Sequence, residues 1–527
     1  MENYIYIMHL PKHSLLFGIL LFASLGLLSY CFPEKGWNLG GYGVFHFPSF
    51  QTLFGQKHHL TDISGILEAI DDIDTNFTLV QIPENETGLD TISKTPISSG
   101  TTLTLTSDTL EKQLKQDSLL ASEKEEQPKR LITGIQYKNK KALYAFFSAL
   151  SQVKSVNSSL RVLHYGDSQI EGDRMTEYLR LKLQAQFGGE GPGLVSFMPV
   201  SKSVINTIEF GENWDRYSAY TARDKRVLHN NFGVLAGFCR FHGIKKTGLA
   251  PPVVSSASVG ITTTPLGGGN ALNFKRIKLF YGGAKTKTWC EFYEGPVLMK
   301  ADSLEAGGNF KVKEYKIVSG ANKHSFKFNG LDSPDFYALS LEGNSGVMVD
   351  NIALRGSSGT FFQHLNLGQL KLFYEYLNVK LIVLQFGGNV MPSILDQTMA
   401  VNYGNYLRYQ INLVKKAAPQ ASILFIGPSD MNIKEGTEYV TYPLLETVRD
   451  EIKKAALETG CAFFDLYDCM GGKNSMAAWV DQNLAASDYT HFSPQGARKM
   501  AMLLYAALIN EYNSYLKNEK NQKDVLK

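Results

Sequence analysis

Two short segments far apart in the chain hold the groups of a serine nucleophile and its base. The first reads His164-Tyr165-Gly166-Asp167-Ser168-Gln169, and the second Asp488-Tyr489-Thr490-His491. A serine hydroxyl is a weak nucleophile until a base takes its proton. An imidazole is an effective base when a carboxylate fixes its tautomer and stabilises its charged form. Ser168, His491 and Asp488 supply these three groups. The chemistry they suit is cleavage of an ester. Ser168 attacks the carbonyl, His491 takes its proton and returns it to the leaving alcohol, and Asp488 orients His491. The oxyanion that forms needs preorganised donors. The Ser168 N–H, the Gly356 N–H and the Asn389 side-chain amide are the expected three. Glycine at 356 lets the backbone come close to a substrate oxygen.

These groups must be positioned by secondary structure. Residues 161–165 read as a short apolar strand. Residues 174–187 read as a helix, with Met175, Tyr178, Leu179, Leu183 and Phe187 on one face. The alternation of strand and helix then stops. From about 200 to 344 the chain carries short β-type runs, at 276–281, 289–293, 310–318 and 336–341, separated by Gly, Asn, Asp and Pro turns. That pattern predicts a β-sandwich. The alternation resumes with a strand at 346–354, a helix at 361–377 and the run VKLIVLQF at 379–386. Such a run fits a parallel strand covered on both faces. A helix at 402–417 and a strand at 422–426 follow. Thr441 is read as the cap of a helix reaching Gly460, then comes a strand at 462–466. Ser493 and Pro494 open the last helix as N-cap and first residue.

The expected fold is therefore a doubly wound, flavodoxin-like parallel sheet of the α/β class, interrupted by an all-β insertion after its first strand–helix unit. In such a sheet ligands bind beyond the carboxyl ends of the strands. Ser168 follows the first expected strand, Gly356 the second and Asn389 the third. Asp488 and His491 follow the fifth. All the candidates fall on one edge of the sheet.

The pattern resembles the SGNH, or GDSL-type, hydrolase family, whose four blocks supply Ser, Gly, Asn and His in that order. Ser168, Gly356, Asn389 and His491 match the blocks, and Asp488 stands in the family's Asp-x-x-His position. The resemblance covers about 134–200 and 346–515. Gln169 replaces the family's usual Leu, at a position read as outside the reaction, and Val390 replaces an Asp that often follows the block Asn. The stretch HYGDSQIEGDRMTEYLRLKLQAQFGGEGPG, the inserted β-module and the DYTHFSPQGA ending look like bacterial peptidoglycan O-acetylesterases of the periplasm. In those enzymes the inserted module looks like a carbohydrate-binding domain. The resemblance implies a serine esterase that removes O-acetyl groups from a cell-envelope polysaccharide, with an acetylated glycan as partner. Two alternatives stay open: a polysaccharide O-acetyltransferase using the same triad, and a non-catalytic, membrane-tethered glycan-binding protein.

Composition bounds the remaining choices. The chain has 527 residues, too many for one ordinary domain. The expected units are an N-terminal membrane anchor or signal at 1–32, a low-complexity stalk at 33–130, the hydrolase at 131–199 and 345–516, the insertion at 200–344 and a polar tail at 517–527. A formal charge of +3 is too small to argue for nucleic acid. Residues 15–32 carry no charge and reach the lower threshold for a membrane-spanning helix. An uncleaved anchor is the expected reading, with a cleaved or lipoprotein signal as alternatives, and each places the body of the protein outside the cytoplasm, in the periplasm or beyond. No Cys, His, Asp and Glu cluster has metal-ligand spacing, so neither metal nor cofactor is expected. Cys239 and Cys290 fall in one β-region, where they could pair or stay free thiols. His164, on a strand expected to be buried, reads as a core histidine and not as a second base.

Overall fold

The computed structural model describes residues 12–31, 37–38, 44–45, 60–76, 134–242, 254–264, 269–436 and 438–525. Apolar runs build its central sheet. The strands are β1 (Ile135–Gln136), β2 (Ser159–Gly166), β3 (Gly346–Ala353), β4 (Val379–Gln385), β5 (Ser422–Ile426) and β6 (Ala462–Phe464). They lie in the order β3-β2-β4-β5-β6-β1, all parallel except β1 against β6. Setting aside the short antiparallel edge strand β1, the remaining order is 2-1-3-4-5, that of a flavodoxin-like sheet.

The strand period of two divides the core. Leu160 and Val162 of β2 face one side, where they pack with α1 (Tyr144–Gln152), α2 (Thr176–Phe187) and α6 (Pro494–Val525). Leu163 and Tyr165 face the other, with α3 (Leu367–Tyr376), α4 (Gln397–Ala417) and α5 (Leu445–Glu458). Burying each such aliphatic side chain stabilises the fold by about 1.5–3 kcal/mol.

Between α2 and β3 the chain forms two antiparallel sheets. One contains Trp214–Ser218, Gly237–Phe241, Arg276–Gly282, Lys311–Lys316 and Asp335–Glu342, with Gly193–Val195 at its side. The other contains Asn206–Phe210, Ser255–Thr263, Thr288–Glu294, Val297–Leu304 and Lys323–Gly330. Side chains from both sheets, among them Trp214, Ile277, Phe292, Phe326, Phe336 and Leu339, form a single core. Cys239 and Cys290 are buried in it as free thiols. The first sheet also packs on the α/β part: Phe280 and Phe310 meet Phe373 of α3 at 5.5 and 4.7 Å between ring centroids.

A buried charge cluster rivets the two parts. Arg161 of β2 is 1% exposed. Its Nη1 donates to both carboxylate oxygens of Asp350 on β3, at 2.7 and 2.9 Å. Its Nη2 donates to Ser340 and Glu342 of the first antiparallel sheet, each at 2.5 Å. Lys278 Nζ lies 2.8 Å from the other oxygen of Glu342. Burial pushes the Glu342 carboxyl up, but Arg161 and Lys278 outweigh it and hold the carboxyl below its ordinary value. Removing one member of such a network leaves buried charge uncompensated, at a cost of about 3–5 kcal/mol. Arg161→Ala is expected to lower stability by that amount in denaturant unfolding, and a loss under 1 kcal/mol would show that water replaces the guanidinium.

The N-terminal expectation is corrected. The helix Lys12–Cys31 forms, with side chains described for residues 16–30. A bilayer span takes about 20 apolar residues, and among the described residues no helix is long and apolar enough to cross a membrane. Anchoring to an inner membrane is not supported, nor is the extracytoplasmic address inferred from it. Most of the expected stalk, including 77–130, lies outside the described residues. Within it, the helix Ser64–Asn76 is folded onto the α/β part, with Ile70 and Ile73 buried against the core.

Two element boundaries also differ. The helix expected from 361 begins only at Leu367, where Asn366 caps it by accepting from the Gln369 N–H. Thr441 caps no helix. It ends the hairpin strand Glu438–Thr441, and its hydroxyl donates to the buried Asp430 at 2.8 Å, a tertiary partner that displaces the local cap.

Candidate active site

β2 ends at Gly166, and the chain turns through Asp167 into a short 3-10 segment, Ser168–Asp173. Asp167 closes the turn by accepting from the Gln169 N–H at 3.0 Å. Ser168 thus stands beyond the carboxyl end of β2, beside β4, where the strand order reverses and ligands of such sheets bind. Asn389 follows β4. After β6 the chain makes two short helices, Leu466–Cys469 and Ser475–Asp481, and then the loop of Asp488 and His491.

The loop brings His491 to the serine. Ser168 Oγ lies 2.7 Å from His491 Nε2, and His491 Nδ1 lies 2.7 Å from Asp488 Oδ2. The second contact favours the tautomer with its proton on Nδ1, leaving Nε2 to accept from the hydroxyl. The Thr490 and His491 N–H groups both donate to Asp488 Oδ1 at 3.0 Å. Partial burial pushes the Asp488 carboxyl up, but these N–H donors and the His491 ring hold it below its ordinary value. It therefore stays ionised beside the imidazole. Ser168, Asn389, Lys434, Asp488 and His491 line one cavity of about 420 Å³.

The oxyanion candidates are placed unequally. Asn389 Nδ2 donates to Asp167 Oδ2 at 3.0 Å and to the Ser357 carbonyl at 3.3 Å. Both amide hydrogens have acceptors within the protein, so a substrate oxygen could reach the Asn389 amide only by sharing or displacing one of them. Asp167 is buried. That pushes its carboxyl up to about 6, with the Gln169 N–H, His491 and Asn389 acting in the opposite sense. Gly356 has φ +78°, a conformation that favours glycine, and a Cβ there would meet nothing within 4 Å. It lines a second cavity, next to the one that holds Ser168. His164 is fully buried and bonds Gln385 at 2.9 Å, and burial lowers it to about 4, so it is neutral.

Three features of the site go beyond the roles the motif assigns. Gln169, read as outside the reaction, ties the serine turn to the histidine loop. Its Nε2 donates to the Thr490 carbonyl at 2.6 Å, and its Oε1 accepts from the Phe492 N–H at 3.3 Å. The two ends of one amide thus bracket His491. The second feature is the hairpin Asn432–Glu435 with Glu438–Thr441, which forms a wall of the cavity. Its Asn432 N–H donates to the Tyr489 carbonyl at 2.9 Å. The third is Tyr489 itself, at φ +55° between Asp488 and Thr490, which stacks on Tyr439 at 3.6 Å and 7°. A non-glycine residue holds that conformation where surrounding contacts impose it. The alternation around Glu435-Gly436 was the sequence signal for this hairpin.

A misplacement of about 1 Å can cost about a hundredfold in rate. Gln169→Ala is therefore expected to lower kcat on a small ester by about ten- to a hundredfold, with KM little changed and the fold intact. Gln169→Asn, with a shorter amide, should recover part of the loss. An unchanged kcat would show that the hairpin alone sets the loop.

No protein-family model matches this chain, and no curated protein does. Solved structures match it. A peptidoglycan O-acetylesterase aligns at 20% identity over 72% of this chain and 99% of its own, with a TM-score of 0.56. An acetyl xylan esterase aligns at 17% identity over 31% of this chain and 81% of its own, with a TM-score of 0.22. A family two carbohydrate esterase from Cellvibrio japonicus aligns at 9% identity over 59% and 99%, with a TM-score of 0.24. The last two likenesses are too slight to carry an argument, whereas the first covers 72% of this chain. The chain has an SGNH-hydrolase fold, and it resembles in that fold a peptidoglycan O-acetylesterase.

Proposed function

We propose that this protein is a serine esterase that removes O-acetyl groups from a cell-envelope glycan, with peptidoglycan as the favoured polymer. The observation that carries the reading is the continuous relay from Ser168 through His491 to Asp488, with both contacts at 2.7 Å. The likeness in fold to a peptidoglycan O-acetylesterase supports the choice of substrate class. In this reading Ser168 Oγ forms a bond to the acetyl carbon as its proton passes to His491 Nε2. The carbonyl oxygen becomes an oxyanion beside the Ser168 N–H, the Gly356 N–H and Asn389. Collapse breaks the bond to the sugar oxygen, which takes the proton from His491. Water, deprotonated by the same imidazole, then releases acetate from Ser168. Asp488 stabilises the imidazolium in both halves.

A transferase would differ only in the second half, where a sugar hydroxyl takes the place of water. Incubation with an aryl acetate and an unacetylated glycan distinguishes the two. Free acetate in step with aryl alcohol supports the esterase, and acetylated glycan in its place would overturn it.

The antiparallel sheets are assigned to holding the polymer. Trp289, Glu291 and Tyr293 alternate along one strand, and Trp289 is 47% exposed. Such remote contacts can serve a polymer and not a small ester. Trp289→Ala is expected to raise KM for the polymer several-fold and to leave aryl acetate turnover unchanged. Equal losses on both substrates, in a folded variant, would place Trp289 in support of the active site.

A further inference from the structure

Beside the cavity that holds Ser168 lies a second one, of about 480 Å³. That is within the roughly 300–1,000 Å³ of small-ligand sites. It is built jointly by residues 218–223 of the antiparallel region and by residues 356–364, which follow β3. The two cavities are neighbours across one hydrogen bond. Asn389, which lines the first, donates to the carbonyl of Ser357, which lines the second.

The lining of the second cavity is distinctive in its chemistry. Ser218, Tyr220, Thr221, Ser358 and Thr360 contribute hydroxyl groups, and Phe232 and Phe361 contribute apolar surface. Arg223 and His364 are the basic groups, and no Asp or Glu is among the described residues that line it. The Arg223 guanidinium is held in place by two backbone carbonyls. Its Nε donates to Val227 and its Nη2 to His229, at 3.3 and 3.2 Å. That leaves Nη1 without a protein acceptor among the described residues. Glu171, three residues after Ser168, is tied to Arg355 through both oxygens, at 2.6 and 2.7 Å, so its charge is met within the protein.

We infer that this second cavity is a subsite for a carboxylate-bearing sugar unit of the acetylated glycan, with Arg223 as the group that recognises the carboxylate. The inference rests on the esterase reading for the identity of the polymer and deepens it. A sugar whose ester sits at Ser168 extends past Asn389 into the adjoining space, where hydroxyls meet its ring and the fixed guanidinium meets its acid. Guanidinium suits this task because its planar fork matches a carboxylate. In a peptidoglycan the acid can come from the lactyl group of the amino sugar or from the peptide attached to it. A neutral polymer such as xylan has neither.

The test is direct binding by the full chain, measured by titration calorimetry. Four ligands are compared: an unacetylated N-acetylglucosaminyl-N-acetylmuramic acid disaccharide, its lactyl methylamide, its dipeptide conjugate and xylobiose. An anion held by one exposed arginine warrants a preference of about three- to fivefold. The acid or the dipeptide conjugate is expected to bind tighter than the methylamide and xylobiose by that factor. Preference for the acid identifies the lactyl carboxylate, and preference for the conjugate identifies the peptide. Arg223→Ala should abolish the preference, Arg223→Lys should keep part of it, and aryl acetate turnover should be unchanged in both. Equal affinity for charged and neutral ligands, or a preference that survives in Arg223→Ala, would overturn the inference. Failure of the chain to cleave any acetyl ester would instead sink the esterase reading, and it would leave the binding comparison to stand or fall alone.

Discussion

Replacing Ser168 by alanine is expected to abolish release of acetate from any acetyl ester while the fold stays intact. The methyl side chain cannot form the acyl bond, and the neighbouring turn is held by Asp167 and the Gln169 N–H, which the substitution does not touch. Groups of such a relay act as a unit, and single losses of serine or histidine in a triad cost about six orders of magnitude in kcat. His491→Ala should therefore fall as far as Ser168→Ala, and the double variant should be little worse than either. Asp488→Ala should cost less, because an imidazole without its carboxylate still accepts a proton. Steady-state turnover of an aryl acetate checks all four variants. Near-normal turnover by Ser168→Ala would mean that the serine does no chemistry.

Asn389→Ala is expected to lower kcat by about two to three orders of magnitude with KM little changed, because an oxyanion donor acts mainly in the transition state. The structure adds a second consequence. Asn389 also meets the buried Asp167 carboxylate at 3.0 Å. Its loss strips a donor from a carboxyl that burial already pushes up to about 6. The variant should therefore take up a proton at Asp167 at higher pH than the parent does, and carbonyl infrared spectroscopy of the carboxyl region would record it. A loss confined to KM would make Asn389 a substrate-positioning residue. An unchanged carboxyl signal would show that the Gln169 N–H and His491 fix the ionisation of Asp167 without Asn389.

Local signals in the chain identified a large part of this arrangement. The run at 379–386 fits a strand covered on both faces, and β4 is that strand, with Leu381 and Ile382 on opposite cores. The Gly-Asp-Ser turn and the Asp-x-x-His step are local patterns, and the structure brings their ends within 2.7 Å. What the chain did not disclose depends on partners distant in sequence. Thr441 looks like a helix cap until Asp430 is present to accept its hydroxyl. Gln169 looks idle until the fold brings Thr490 and Phe492 to its amide. Nothing in the order Asp-Tyr-Thr-His announces a left-handed tyrosine, since its conformation is imposed by Asn432 and Tyr439 across the loop. The apolar N-terminal stretch met a threshold of composition, and among the described residues it did not yield a membrane-spanning helix.

The proposed reaction, cleavage of acetyl esters on a cell-envelope glycan by Ser168, can be tested on the polymer itself. The most direct measurement is acetate release from O-acetylated peptidoglycan by the full chain, set beside Ser168→Ala and beside acetylated xylan. Steady release is expected from the peptidoglycan, release from xylan slower by at least about tenfold, and none above background from the variant. Equal release by the parent and Ser168→Ala, or release from xylan alone, would contradict the proposed reaction.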